Sequence, residues 1–180
     1  MYGRLIAIVG PSGSGKDTLI SELKNRIIAH FPRRFITRQN FSNDEKYIPV
    51  TPDKFLNLLK NEQLAFNWSA HGLNYGIPSN INQFLSNGTD VIFNCSRAAL
   101  SNISQNYINL EIIVITVSPS ILRKRLSLRG RESIKEINKR MRRKIDLIPA
   151  HALTIDNSKS IEEGLINLIA AINPTMQTHQ

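Results

Sequence analysis

Leu5-Ile6-Ala7-Ile8-Val9 runs directly into Gly10-Pro11-Ser12-Gly13-Ser14-Gly15-Lys16-Asp17-Thr18, and behind it Leu19, Ile20, Leu23, Ile27 and Ile28 recur at helical spacing. A short β-branched run reads as a buried strand, and apolar residues three and four apart mark one face of a helix. The glycine-rich stretch therefore joins a strand to a helix that extends to about Ile28 or Ala29. GPSGSGK fits the phosphate-loop pattern GxxxxGK, and a strand before it with a helix behind it is the setting that pattern requires. Its glycines let phosphate oxygens approach backbone N–H groups that side chains would screen, and the helix N-terminus favours negative charge. Lys16 adds a point charge for the β- and γ-phosphates. The plainer reading, a glycine-rich turn before an ordinary helix, leaves the spacing of the glycines and the lysine unexplained. After Lys16 the usual magnesium-binding hydroxyl is replaced by Asp17, and a hydroxyl follows at Thr18. Asp17 is either a metal ligand or an acidic residue stabilised in a helix first turn, and both readings stay open.

The 180 residues suit one domain with a full core, and 41% hydrophobic with 21% charged residues is ordinary for a globular chain. No apolar run approaches a membrane span, and five apolar residues before the loop are too few for a signal peptide, so the protein is expected to be cytosolic. The single cysteine, Cys95, agrees with a reducing compartment and reads as a buried thiol in an apolar strand. The net charge of +9 is concentrated: eleven of the 23 basic residues and two acids, Glu132 and Glu136, lie between Arg123 and Lys144, so the rest of the chain is neutral. One basic helical segment in a phosphate-loop protein suggests a clamp on polyphosphate. Nucleic acid is a poorer partner for it, because the segment lacks the aromatic platforms of single-strand binders.

Further along, Phe35-Ile36-Thr37-Arg38 reads as a short strand ending in a hydroxyl and a guanidinium, and Arg38 is a candidate for an acceptor phosphate. Gln39 to Val50 reads as a loop. Thr51 caps a helix with Pro52 at its first position and Phe55, Leu58 and Leu59 inward. Leu64–Ser69 and Asn74–Ile77 read as strands joined at His71-Gly72, a small mixed patch on a parallel core; Tyr75 is either a phosphate-binding hydroxyl or a core tyrosine. His71 has no cluster of metal-ligating residues around it. A short helix over Ser79–Ser86 buries Ile81, Phe84 and Leu85 and stops at Gly88. Val91-Ile92-Phe93 then forms a core strand ending at Asn94-Cys95-Ser96-Arg97, which puts Ser96 and Arg97 at the ligand end. Asp90 lies at the wrong end to hold magnesium.

Glu111 to Val117 is the most apolar strand. Ser118 caps the next helix, Pro119 begins it and Gly130 stops it, with Leu122 and Leu126 as packing residues and Arg125 and Arg129 on one face. Ser133-Ile134-Lys135-Glu136 is a capping box that opens a second basic helix striped by Ile137, Met141 and Ile145, with Arg140 off the stripe. Two basic helices hinged at Gly130 make a lid. Ala152–Ile155 is the last strand, leading to Asp156-Asn157, and Ser160 to Glu163 opens a closing helix that ends near Ile172.

GPSGSGK, HGLNYGIP and RLSLRGRESIKEINKR together resemble the guanylate kinase superfamily over nearly the whole chain. The resemblance implies an α/β P-loop NTPase fold, three-layer α/β/α, with a mostly parallel central sheet, a small acceptor-binding subdomain and a helical lid. Within one domain spanning 1–180, the core falls at about 1–34, 89–122 and 146–173, the acceptor subdomain at 35–88 and the lid at 123–145. It further implies that Lys16, Arg125, Arg129 and Arg140 serve the transferring phosphates, that Gly10 to Thr18 with Asp156 and Asn157 bind ATP, and that Asp17 or Thr18 meets Mg2+. Arg38 and Tyr75 fall where the family holds the acceptor's phosphate. Guanylate kinases read guanine with a glutamate and an aspartate; here Phe66 and Asn94 or Ser96 stand at the matching places, so guanine should be rejected. GPSGSGKD, FITR, HGLNYG, NCSRAAL and RGRE instead resemble the ribose 1,5-bisphosphate phosphokinase branch, which implies a small phosphorylated sugar as substrate, with Ser96 and Arg97 joining Arg38 and Tyr75 on it. A homodimer is compatible with the sequence. The alternatives are a nucleoside monophosphate kinase of altered base preference and a non-catalytic guanylate kinase-like binding module, which would be expected to lose the loop lysine or the lid arginines.

Overall fold

The computed structural model describes residues 1–38, 47–70, 72–129 and 148–173. Its elements run β1 (Leu5–Val9), α1 (Lys16–Leu23), β2 (Arg34–Ile36), β3 (Tyr47–Pro49), α2 (Pro52–Lys60), β4 (Leu64–Ala70), β5 (Leu73–Pro78), α3 (Ile81–Ser86), β6 (Val91–Asn94), a 3₁₀ turn (Arg97–Ala99), α4 (Leu100–Asn106), β7 (Leu110–Thr116), α5 (Pro119–Arg129), β8 (Leu153–Asp156) and α6 (Ile161–Ile172). One four-stranded sheet has the order β6-β1-β7-β8 and a second the order β3-β2-β5-β4. Strands alternating with helices, and a parallel β7/β8 pair in register Ile113↔Leu153 to Thr116↔Asp156, are the α/β architecture the sequence implies. By internal contacts the chain divides into two compact units, Met1–Ala7 with Ile28–Glu111, and Ile8–Ile27 with Ile112–Gln180.

In the first unit the second sheet is mixed. β2 is parallel to β3 and antiparallel to β5, and β4 and β5 form a hairpin turning at Gly72, whose φ is 74°. Thr51 caps α2 as expected, its hydroxyl accepting from Lys54 N, and Phe55 and Leu58 bury against Val50, Phe35, Ile48 and Leu64. Phe66 lies in the core, 5.0 Å from the Phe93 ring and 5.7 Å from that of Tyr107. Asp90 holds the start of β6 to Arg4 through the Arg4 backbone N–H (2.8 Å) and guanidinium (2.6 Å), a structural use that fits its place away from the strand's ligand end. Cys95 is buried, as expected.

The second unit gathers α1, α5, β8 and α6. Leu122 and Leu126 are buried with Val117 against them, and a Cβ at Gly13 would sit 3.0 Å from both leucines, so α5 seats directly on the glycine-rich loop. α6 opens with the expected capping box, Ser160 Oγ accepting from Glu163 N (3.2 Å) while the Glu163 carboxylate receives the Ser160 N–H. Its buried stripe is Leu165, Leu168 and Ile172.

Three local expectations are corrected and one unassigned helix is added. α1 ends at Leu23 rather than near Ile28: Asn25 and Arg26 donate to Glu22 and Leu23, bonds one residue short of the helical spacing, and Ile28 is fully exposed. β2 covers Arg34–Ile36, leaving Thr37 and Arg38 beyond it, and it belongs to the mixed sheet. Within Gln39–Val50, read as loop, Tyr47–Pro49 is a strand, because β2 offers it a parallel partner that its own composition does not announce. Leu100–Asn106, unassigned from sequence, is a helix that buries only Leu100 and Ile103. Residues 39–46, His71, and the expected lid from Gly130 through Ser133, Glu136, Ile137, Arg140, Met141 and Ile145 lie outside the described residues.

His30 bridges to Val91 and stacks on Phe84 with ring centroids 3.6 Å apart and planes 6° apart, leaving Nε2 buried without a hydrogen-bond partner. That burial lowers its pKa below the usual histidine value. A depressed histidine favours the neutral form in the fold, so its contribution is complete above the unfolded value of about 6.5 and is lost as pH falls through and below it. Urea midpoints measured from about pH 7.5 down to about pH 5 should fall more steeply for the wild type than for His30→Phe, which cannot charge.

Candidate active site

β1 delivers the chain into a loop whose glycines carry backbone angles other residues resist: φ is 151° at Gly10, 92° at Gly13 and 90° at Gly15. At Gly15 the chain turns into α1, which begins at Lys16 with no side-chain hydrogen bond from its N-cap, a helix N-terminus that favours negative charge. The Lys16 ammonium is drawn back across the loop, 2.9 Å from the carbonyls of both Gly10 and Pro11 and 3.5 Å from Ser14 Oγ. An anchored cation beside a glycine-rich turn at a helix N-terminus suits a polyphosphate.

Arg125 on α5 reaches the same loop. Its Nη2 donates to the Asn157 carbonyl at 3.0 Å and its Nη1 lies 3.4 Å from the Ser14 carbonyl. Asn157, just past β8, is buried and its Nδ2 donates to that same Ser14 carbonyl at 2.8 Å. Three segments far apart in sequence therefore meet on one peptide group. Beside them lies a cavity of about 340 Å3 walled by Thr18 and Leu19 of α1, Arg125 and Leu128 of α5, and Asn157 and Ile161. Leu128 and Ile161 are 78% and 50% exposed, apolar faces open at the cavity rim. Thr18 lines this cavity, and Asp17 lies exposed beside it in the first turn of α1. Asp156 Oδ1 accepts from the Ser158 N–H and hydroxyl.

The expected acceptor residues all fall in the first unit. Tyr75 on β5 pairs with Trp68 of β4, their rings stacked at 5.3 Å, and its other register partner is Ile36. The end of β2 is knitted to β5 beside it, Thr37 N donating to Asn74 O and Asn74 N donating to Thr37 Oγ1 at 2.8 Å. Arg38 is exposed, its guanidinium 5.7 Å above the Tyr47 ring. Arg97 opens the 3₁₀ turn after β6, and Ser96 before it has a buried hydroxyl with no hydrogen-bond partner. No hydrogen bond or ion pair joins Arg38, Tyr75, Ser96 and Arg97 to one another among the described residues. Sequence reasoning passed over Arg34, whose Nη1 donates to the Asn94 carbonyl at 3.3 Å and fixes the strand end from which Ser96 and Arg97 follow. Arg129 ends α5, and Arg140 lies outside the described residues.

A family model described as guanylate kinase matches residues 2–174. The chain belongs to the guanylate kinase family. Among relatives of this guanylate kinase family member, the ribose 1,5-bisphosphate phosphokinase PhnN of Azotobacter vinelandii is 40% identical over 177 residues, covering 94% of this chain and 97% of that one. The enzyme of the same name from Pseudomonas fluorescens is 36% identical and covers 96% of each chain. A bifunctional ribose 1,5-bisphosphokinase-thymidine phosphorylase of Roseobacter denitrificans is 40% identical over 96% of this chain, which spans 26% of that longer protein. The crystal structure of guanylate kinase from Anaplasma phagocytophilum superposes with a TM-score of 0.69 at 20% identity, covering 99% of this chain and 88% of the other, and so shares the fold.

Proposed function

We propose that this guanylate kinase family member transfers the γ-phosphoryl group of ATP to ribose 1,5-bisphosphate, giving 5-phosphoribosyl 1-diphosphate and ADP. The observation that carries the reading is Phe66: where a guanine-reading kinase of this family has a carboxylate, this chain has a ring sealed between Phe93 and Tyr107. A phenyl ring offers nothing to guanine's N–H groups, whose burial without acceptors is unfavourable, and nothing is lost with an acceptor that has no base. The relatives that match over their full length and carry the ribose 1,5-bisphosphate phosphokinase name support the same acceptor.

An acceptor phosphate is already ionised at neutral pH, so no general base is required. The task is to bring two polyanions together in line, and positioning with charge neutralisation accomplishes it. Lys16 and the loop amides hold the donor's β- and γ-phosphates. Arg125, with Arg129 and Arg140 beyond it, offsets the charge that spreads over the transferred group. Arg38, Tyr75, Ser96 and Arg97 hold the acceptor. The cavity lined by Leu128 and Ile161 takes the donor's base between apolar faces, with Asn157 in its wall.

Magnesium suits a site of this kind. It keeps several waters and takes few protein ligands, and the Thr18 side chain lines the cavity with Asp17 preceding it in the first turn of α1. Thr18 or Asp17 would hold it, and when bound it neutralises donor phosphate charge.

The test is an acceptor panel: ribose 1,5-bisphosphate and the nucleoside monophosphates, each with ATP and magnesium, followed by product separation. Ribose 1,5-bisphosphate should be used with a kcat/KM about 10³-fold or more above that of GMP. GMP turned over as well as the bisphosphate would overturn the reading in favour of a nucleotide kinase.

A further inference from the structure

Asn157 has a role that a nucleotide-contacting turn does not require. Its backbone N–H donates to Thr116 O at 2.9 Å, which continues the β7/β8 ladder one residue and fixes its Cα to the sheet. Its side chain is 2% exposed and aimed into the protein, where Nδ2 meets the Ser14 carbonyl. We propose that the Asn157 amide is a positioning residue that sets the orientation of the phosphate loop's Ser14–Gly15 peptide, in a slot that Gly164 of α6 leaves open for it. The proposal rests on the reading of Gly10–Thr18 as a nucleotide-phosphate loop and is independent of which acceptor is used.

The physical link is the planarity of the peptide. In a trans peptide the C=O of one residue and the N–H of the next point in opposite directions, so pinning the Ser14 carbonyl inward aims the Gly15 N–H the other way. Arg125 leans on the same Ser14 carbonyl and on the Asn157 backbone carbonyl, so loop and arginine are both tied to one residue, the loop through its side chain and the arginine through its backbone. The amide's direction is dictated by its partner: rotated by half a turn, it would press oxygen against the Ser14 carbonyl.

Two glycines from different elements make the slot. A Cβ at Gly15 would fall well inside contact distance of Asn157 Nδ2, and a Cβ at Gly164 well inside that of Oδ1. Glycine inside a helix is unfavourable relative to alanine, and Gly164 sits in the second turn of α6, buried. The amide it accommodates leaves Oδ1 buried and unpartnered, so the side chain is retained for its donor end.

A donor is what the site needs, and this gives a test that simple destabilisation would not mimic. Asn157→Asp keeps the shape. Ionised, it has no hydrogen for Ser14 and sets a negative charge beside bound phosphates; protonated, it donates again. The probe is ADP and ATP binding by calorimetry on the full chain, with thermal midpoints measured alongside. At about pH 8, Asn157→Asp and Asn157→Ala should weaken both nucleotides about tenfold or more relative to wild type. Lowering the pH should restore part of the Asp variant's deficit relative to wild type and none of the Ala variant's, since only a protonated carboxyl regains a hydrogen for Ser14, with the Arg125 guanidinium beside it working against protonation. Gly164→Ala should weaken binding without any such pH dependence.

The Asp variant tracking wild type at every pH would overturn the proposal. So would Gly164→Ala binding as tightly as wild type. A wild type that binds neither nucleotide would remove the loop reading itself, whereas one that binds ATP and fails to phosphorylate ribose 1,5-bisphosphate would fail only on the acceptor.

Discussion

Lys16→Met lowers kcat by about 10²–10³-fold, the loss expected when one preorganised positive group is withdrawn from developing phosphoryl charge. Methionine keeps much of the apolar stem and removes only the ammonium that lies 2.9 Å from Gly10 O and Pro11 O. The fold should survive it, because the core of the second unit is built from Leu19, Leu122, Leu126, Leu165 and Leu168 and not from this side chain. A steady-state comparison at saturating ATP, with a melting curve to show an unchanged midpoint, checks it. A variant turning over within a factor of about three of wild type would remove Lys16 from the chemistry.

Gly10→Ala is expected to act on stability more strongly than any other glycine change in the loop's approach. Its φ of 151° is one that side chains rarely adopt, and a Cβ there would be driven into the Ile115 carbonyl of β7, which is backbone and cannot swing aside. Strain and overpacking together should remove about 3 kcal/mol or more. In a chain of this size that lowers the thermal midpoint by roughly 6–12 °C. Gly72→Ala is the control. It too has a positive φ, of 74°, but its Cβ would meet nothing within 4 Å, so only the left-handed backbone penalty of about 1–2 kcal/mol applies. Equal shifts for the two variants would mean that the crowding at Ile115 is not the cause.

The parts of this fold that were legible in sequence are those whose information is local. The strand, loop and helix from Leu5 to Leu23 announce themselves within one short stretch. So do the Thr51-Pro52 start of α2, the β4/β5 hairpin at Gly72 and the Ser160–Glu163 capping box, each set by residues only a few positions apart. What could not be read depends on partners brought from afar. β3 is a strand because β2 lies beside it, and its three residues carry no alternation of their own. The helical period of Ile27 and Ile28 misled because the last bonds of α1 tighten before those residues, leaving Ile28 in solvent. Asn157 could be placed beside the nucleotide by resemblance, yet its contact with Ser14 spans 143 positions of sequence and that of Arg125 spans 111, distances no local pattern encodes. Gly164 shows the same limit from the other direction. In sequence it is only a weak point in a helix; in the structure it is room for an amide.

The most direct measurement of the central claim follows the phosphoryl group itself. ATP labelled in its γ-phosphate is incubated with the protein, ribose 1,5-bisphosphate and magnesium, and the products are separated. The account predicts that label appears in the outer phosphate of the sugar's 1-diphosphate, with one ADP formed for each labelled sugar. Label retained in ATP, released as free phosphate, or carried to a nucleoside monophosphate in preference to the sugar would contradict it.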